Sequence, residues 1–224
     1  MTPRRIDQFL STLASELGCP ARLYLTGAAA AALLGRVRPS LDVDFGLELR
    51  GRRPVPWQVV EGAVERASKR TGIAASAAED IDRWGMITLL DYKKRARRHR
   101  RFGLLDVRVL DPLHWSIGKL TRFLDVDIRD VVEVFRRQAV MAAAAARLWG
   151  RALRASPAST AQFQFRRQVE AFLRSQGRRI WGAAFDVDAA TRVFHRAARI
   201  PEAAPEPGTQ LETARTRPRR RRPA

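Results

Sequence analysis

Apolar residues recur along this chain at two spacings, and the switches between them mark out the elements. Ile6, Phe9, Leu10, Leu13 and Leu17 repeat every three or four positions, the stripe of an amphipathic helix. Thr2 and Pro3 supply an N-cap and a first-turn proline, and Gly18 a stop. Residues 22–26 predict a short apolar strand, 28–34 a small-residue helix stopped by Gly35, and 41–49 a second strand. A basic, turn-rich loop at 51–56 leads to a helix over 57–70 that buries Val59, Val60, Val64 and Ala67 and ends at Thr71 and Gly72. Residues 73–82 fit neither period. Strands are predicted over 84–90 and 104–110, the second broken by Asp111 and Pro112. Beyond this the rhythm is helical. It gives 113–123, one long alanine-rich helix over 131–155 ended by Ser156 and Pro157, an amphipathic helix over 160–175 stopped by Gly177, and a last helix over 188–200.

Strands interleaved with helices, then helices alone, predict an α/β (α+β) fold: a small mixed sheet with flanking helices, followed by a helical region. The expected organisation is a sheet domain over 1–130, a helical region over 131–200, and a disordered arginine-rich tail over 201–224 that carries almost no large apolar residue. With 46% apolar residues the chain can bury a sizeable core. A single cysteine, Cys19, excludes an internal disulfide framework and a cysteine-based zinc site. There is no apolar signal core at the N-terminus and no run long enough to span a bilayer, so a cytoplasmic, bacterial protein without membrane partners is expected.

Charge changes this picture. The net charge of +19 favours an anionic partner, nucleic acid ahead of a membrane surface. It is concentrated in two places. Lys93, Lys94, Arg97, Arg98, Arg100 and Arg101 lie in one nearly unbroken basic run, readable as an anion-binding surface or as a solvated helix. The tail ends in a second arginine cluster, a nucleic-acid-binding or a solubilising segment.

The candidate chemistry lies in 23–49. Asp42 and Asp44 alternate with Leu41, Val43 and Phe45, so on a strand the two carboxylates share one face. Paired acids repel and lose hydration, a cost that a divalent cation removes; they also occur as the ordinary polar face of an exposed strand. Gly27 ends a strand and opens a helix, where backbone N–H groups can meet phosphate. Arg36, Arg38 and Ser40 precede the acids as donors for phosphate oxygens. Asp127 and Asp130 fit the N-terminus of a helix as capping, dipole-complementing acids.

This arrangement resembles the nucleotidyltransferase superfold of the DNA polymerase β type. The closer resemblance is to the nucleotidyltransferase toxins of abortive-infection and type IV toxin–antitoxin systems, and to related uncharacterised bacterial nucleotidyltransferases. It rests on Arg38, Ser40, Asp42 and Asp44 in an R-x-S-x-D-h-D pattern and on Lys119, Asp127 and Asp130 in a K-x(7)-D-x-x-D pattern, and it covers 23–130. The resemblance implies that Asp42 and Asp44 hold Mg²⁺ (or Mn²⁺) for a nucleoside triphosphate substrate. Gly27, Ala28, Arg38 and Ser40 would cradle phosphates, and Lys119 would contact the nucleotide beside Asp127 and Asp130. Ala28 stands where the family has serine or a second glycine, which removes a hydroxyl donor. For the third acid of such sites, Asp91 is preferred and Asp106 is the second candidate. The expected activity is transfer of a nucleoside monophosphate to an acceptor, RNA such as tRNA, with an antitoxin protein as a possible partner. The alternative is a catalytically weak or inactive protein of the same fold that binds nucleic acid or a partner protein.

Overall fold

The computed structural model describes residues 1–35, 42–51 and 54–201. Helix α1 (Pro3–Leu17) is capped by the Thr2 hydroxyl, which accepts from the Arg5 N–H, and ends on Gly18 in the left-handed region. It leads into β1 (Ala21–Leu25), the short α2 (Gly27–Leu33), β2 (Asp42–Leu49), α3 (Trp57–Thr71) and β3 (Ala74–Ala78). A two-residue hairpin of β4 (Arg83–Trp84) and β5 (Ile87–Thr88) and the single turn α4 (Tyr92–Arg95) follow. Strands β6 (Arg97–Phe102) and β7 (Leu105–Val109) complete the sheet, and α5 (Pro112–Arg122) begins the helical part. Then come α6 (Asp125–Arg137), α7 (Ala142–Ala155), α8 (Thr160–Trp181) and α9 (Val187–Ala198).

The fold is mixed α/β. The five-stranded sheet has the order β3-β2-β1-β7-β6 and is itself mixed: β1 runs antiparallel to β2 and parallel to β7, β3 parallel to β2, and β6 antiparallel to β7. Register divides the sheet into two faces. Leu23 and Leu25 pair with Leu47 and Phe45 on one side and with Val107 and Val109 on the other, a continuous buried apolar layer. Helices α1 and α3 cover it: Phe9 meets Phe45, and Arg66 and Arg70 of α3 both reach Glu16 of α1. The opposite face carries Arg22, Asp42, Asp44, Glu48, Asp106 and Arg108, with Tyr24 and Gly46 at its middle. Ile81 sits so close over Gly46 that a side chain there would displace it, and Tyr92 packs edge-on against Tyr24. This polar face is therefore covered at its centre and polar toward both ends.

The helical layer is built around Trp149, which stacks on Phe135 at 5.9 Å, receives Phe172 edge-on at 5.8 Å, and donates to Ser116 Oγ on α5. Helices α7 and α9 cross at Gly150, where a Cβ would strike the Phe194 carbonyl. No helix among the described residues is long and apolar enough to cross a membrane.

Several sequence expectations change. The long helix over 131–155 is two helices. Between them Gln138 donates to the Leu34 carbonyl and accepts from Arg97, while Trp181 Nε1 of α8 donates to the Val140 carbonyl, so the break is tied to the end of α2, to β6 and to α8. The expected boundary at 130 falls inside α6. Gly177 does not stop α8 but lies within it, bare because the Phe185 ring packs on its Cα. On α3 the buried stripe is Val60, Ala63, Val64 and Ala67, and Val59 is exposed. The ambiguous 73–82 contributes the edge strand β3. The expected strand over 84–90 is instead the hairpin β4–β5, turned by Gly85 and Met86, both at positive φ. Its Thr88 N–H donates to Ser156 Oγ at the end of α7.

Candidate active site

The carboxylate pair lies where β1 ends and β2 begins. The Thr26 N–H donates to the Asp44 carbonyl at 3.0 Å, which brings the first turn of α2 against β2. Val43 and Phe45 are buried on the opposite side, so Asp42 and Asp44 share the polar face, Asp42 exposed and Asp44 half-buried. Gly27 is required here twice over. Its φ is +58°, and a Cβ would fall on the Asp44 carboxylate. Its carbonyl accepts from Trp115 Nε1 at 2.8 Å in a buried contact that pins the first turn of α2 to α5. Ala28 follows on the same turn, and the N–H groups opening a helix have no partner within it.

Burial raises the Asp44 pKa, the neighbouring Asp42 raises it further, and Arg122 and Lys119 oppose the shift. Geometry ties the second motif to the first through Trp115, which donates to the Gly27 carbonyl and lies under Lys119. Lys119 is buried over the Trp115 ring and donates to Asp127 at 2.7 Å and to Asp130 at 3.0 Å. Arg122 forks onto Asp127 through Nε and Nη2 at 3.0 and 2.9 Å. Asp127 and Asp130 turn inward as ion-pair partners, and α6 carries no side-chain cap at its N-terminus, which corrects the capping expectation. Lys119 is 2% exposed, whereas the Arg122 side chain is 46% exposed, so of these two cations Arg122 is the one open to solvent.

The proposed third acids do not join the pair. Asp91 is exposed at the start of α4, where Lys94 at 3.1 Å, and more weakly Arg151, hold its pKa down. Asp106 sits in the row of Arg22 and Glu48, four residues along the sheet from Asp44, and binds Arg22 at 2.7 Å. Burial raises its pKa, but Arg22 and Arg108 outweigh that and hold it low. The residue beside Asp44 on the neighbouring strand is Ser76. Among the described residues, no group of three His, Cys, Asp or Glu side chains is placed to hold a metal. Arg38 and Ser40, with Arg36 and Leu41, lie outside the described residues, as does the tail after 201.

The basic run is not a helix. Only 92–95 is helical, and the rest is β6, whose alternation parts the charges. Lys93 lies 3.8 Å from Asp80 and Lys94 pairs with Asp91. Arg98 and Arg101 pair with Arg108 and Asp106 on the polar face. His99 and Arg100 turn to Asp7 on α1, and Arg97 donates to Gln138.

Comparison with protein-family models, with curated proteins and with solved structures finds no match. The assignment therefore rests on the site itself. Sequence reasoning missed Trp115, Arg122 and Ser76. Arg122 was legible as the residue one turn beyond Lys119 on the same helical face. Trp115 and Ser76 are brought in by packing and strand pairing, which no local spacing shows.

Proposed function

We propose that this chain is a divalent-metal-dependent nucleotidyltransferase that moves a nucleoside monophosphate from a nucleoside triphosphate to an anionic acceptor, RNA such as tRNA. The observation that carries the reading is the close approach of Gly27 to Asp44, with Asp42 on the same face and the Lys119–Asp127–Arg122 chain beside it. Two carboxylates, one pushed toward its neutral form by burial and by the other, are an oxygen donor set suited to Mg²⁺, which is commonly completed by substrate phosphates and water. Bound there, the ion would neutralise the triphosphate and make the attacking hydroxyl more acidic.

The chain's own residues supply positioning and charge. The N–H groups opening α2 at Gly27 and Ala28 would meet phosphate oxygens, and Arg122 would offer the guanidinium N–H groups that Asp127 does not use. Lys119 is a positioning residue: it fixes Asp127, and Asp127 fixes Arg122. The cytoplasm, where triphosphates are abundant, is the compartment this reaction needs, and the resemblance to toxin–antitoxin nucleotidyltransferases accords with it.

Ser76 in register with Asp44 favours a second reading, a protein of this fold that binds nucleotide or nucleic acid without turnover. Incubation with Mg²⁺, each α-labelled nucleoside triphosphate and total tRNA separates the two, with Asp42→Asn/Asp44→Asn as the comparison. Transfer by the wild type and none by the variant is expected. No transfer from any nucleotide leaves the binding reading, and equal transfer by the variant excludes the carboxylate pair. Mn²⁺ binding followed by electron paramagnetic resonance reads the metal site without turnover.

A further inference from the structure

A second basic feature lies at the start of α5. The start of β6 and helix α7 form the walls of a cleft of about 520 Å³. Arg95 and Arg97 line it from one side, and Arg147 and Arg151 from the other. Two carboxylates are nearby, and both are engaged: Asp111 by the His114 ring and the Leu113 N–H, and Asp91 by Lys94. Arg97 spends one N–H on Gln138, and Arg151 lies at 4.0 Å from Asp91. Among the described residues, none forms an ion pair with Arg95 or Arg147. Met141, 68% exposed, and Leu148 add apolar surface to the same cleft.

We propose that this cleft binds a single-stranded segment of nucleic acid, with phosphates on Arg147 and Arg151 and a base against Met141 and Leu148. Arg147 and Arg151 stand one helical turn apart, about 6 Å between Cβ atoms. That is close to the separation of successive phosphates on one strand, so the pair suits a polymer better than a single phosphate. Guanidinium planes pair with phosphate through parallel N–H groups and also stack on bases, so the absence of an aromatic platform among the lining residues is no obstacle. A cleft of about 520 Å³ has room for a nucleotide unit of an open strand. The cleft and the candidate active site share the start of α5: His114 lines the cleft, and the next residue, Trp115, holds Gly27. Identifying the bound strand as the acceptor rests on the transfer reaction proposed above; the binding does not.

The test is fluorescence anisotropy of the full chain with a labelled single-stranded RNA 12-mer and with a blunt RNA duplex, across a salt series. All four arginines of the cleft are exposed, so Arg147→Ala/Arg151→Ala leaves the core untouched. It should weaken single-strand binding roughly tenfold and lower the slope of log affinity against log salt by about two. Arg167→Ala/Arg174→Ala removes the same charge from exposed positions on α8 and should change affinity less than about threefold if contact rather than net charge decides. Asp42→Asn/Asp44→Asn should bind as the wild type does, whatever happens to its transfer activity. Equal losses in the two arginine variants, tighter binding of the duplex, or no binding by the wild type would each overturn the proposal.

Discussion

Replacing Gly27 by alanine tests the close approach on which the candidate site depends. Two costs add. A residue with a Cβ held at φ +58° is strained by about 1–2 kcal/mol. The new methyl also falls on the Asp44 carboxylate, and forcing a group into such a contact costs about 1–3 kcal/mol. Gly27→Ala should therefore destabilise the protein by roughly 2–5 kcal/mol, which at this chain length lowers the melting temperature by about 5–15 °C. The two parts separate in a double-mutant cycle. In an Asp44→Ala background the carboxylate clash is gone and only the Cβ of residue 44 stays close, at 3.1 Å, so the cost should fall toward the backbone strain of about 1–2 kcal/mol. Urea unfolding of the four proteins at pH 7 without divalent metal gives the coupling energy. A Gly27→Ala cost below about 0.5 kcal/mol, or one unchanged by Asp44→Ala, would refute the contact.

Three further outcomes follow from the same corner. Asp44 has a pKa raised above its unfolded value, so folding loses stability as pH rises through that range. Asp44→Asn should accordingly melt higher than the wild type at pH 7 and lose that advantage as the solution is acidified, while Mg²⁺ should raise the melting temperature of the wild type alone. Lys119→Met leaves Asp127 and Asp130 buried without their shared cation and should cost about 3–5 kcal/mol in urea unfolding, more than Arg122→Met, which removes a half-exposed guanidinium and leaves Asp127 paired with Lys119. Trp115→Phe keeps an aromatic ring but removes the side-chain donor to the Gly27 carbonyl, an expected loss of about 0.5–1.5 kcal/mol for the hydrogen bond by the same measurement.

Sequence legibility followed the range of the interactions concerned. Helix α1 could be read complete with its cap and stop, because Thr2, Pro3, the apolar stripe and Gly18 are all local signals. The shared face of Asp42 and Asp44 could be read for the same reason, since alternation along one strand needs no partner. The meeting of Lys119 with Asp127 and Asp130 was anticipated only as a pattern of spacings; its burial depends on α5 and α6 packing together. Glycine carried two messages that sequence alone does not separate. At Gly18 it meant a helix end, and at Gly177 a place for the Phe185 ring. The third acid was sought at Asp91, which ends an expected strand and borders the basic run, and at Asp106 in the strand that follows. Pairing then put an alanine-rich strand beside β2, a segment whose small side chains gave neither period a signal.

The pairing of β6 with β7 has a consequence for insertions and deletions. Arg98 faces Arg108 and Arg100 faces Val107, so His99 is one residue more than the ladder needs, a β-bulge at the middle of the strand. In an ordinary strand, losing one residue turns every side chain beyond it to the opposite face. Here the loss of His99 would leave Arg97, Arg98, Arg100, Arg101 and Phe102 opposite the same partners and would sacrifice only the contact with Asp7. The strand that distributes four arginines between the two faces of the sheet thus carries its own spare residue, and a one-residue shortening there preserves which arginine looks which way.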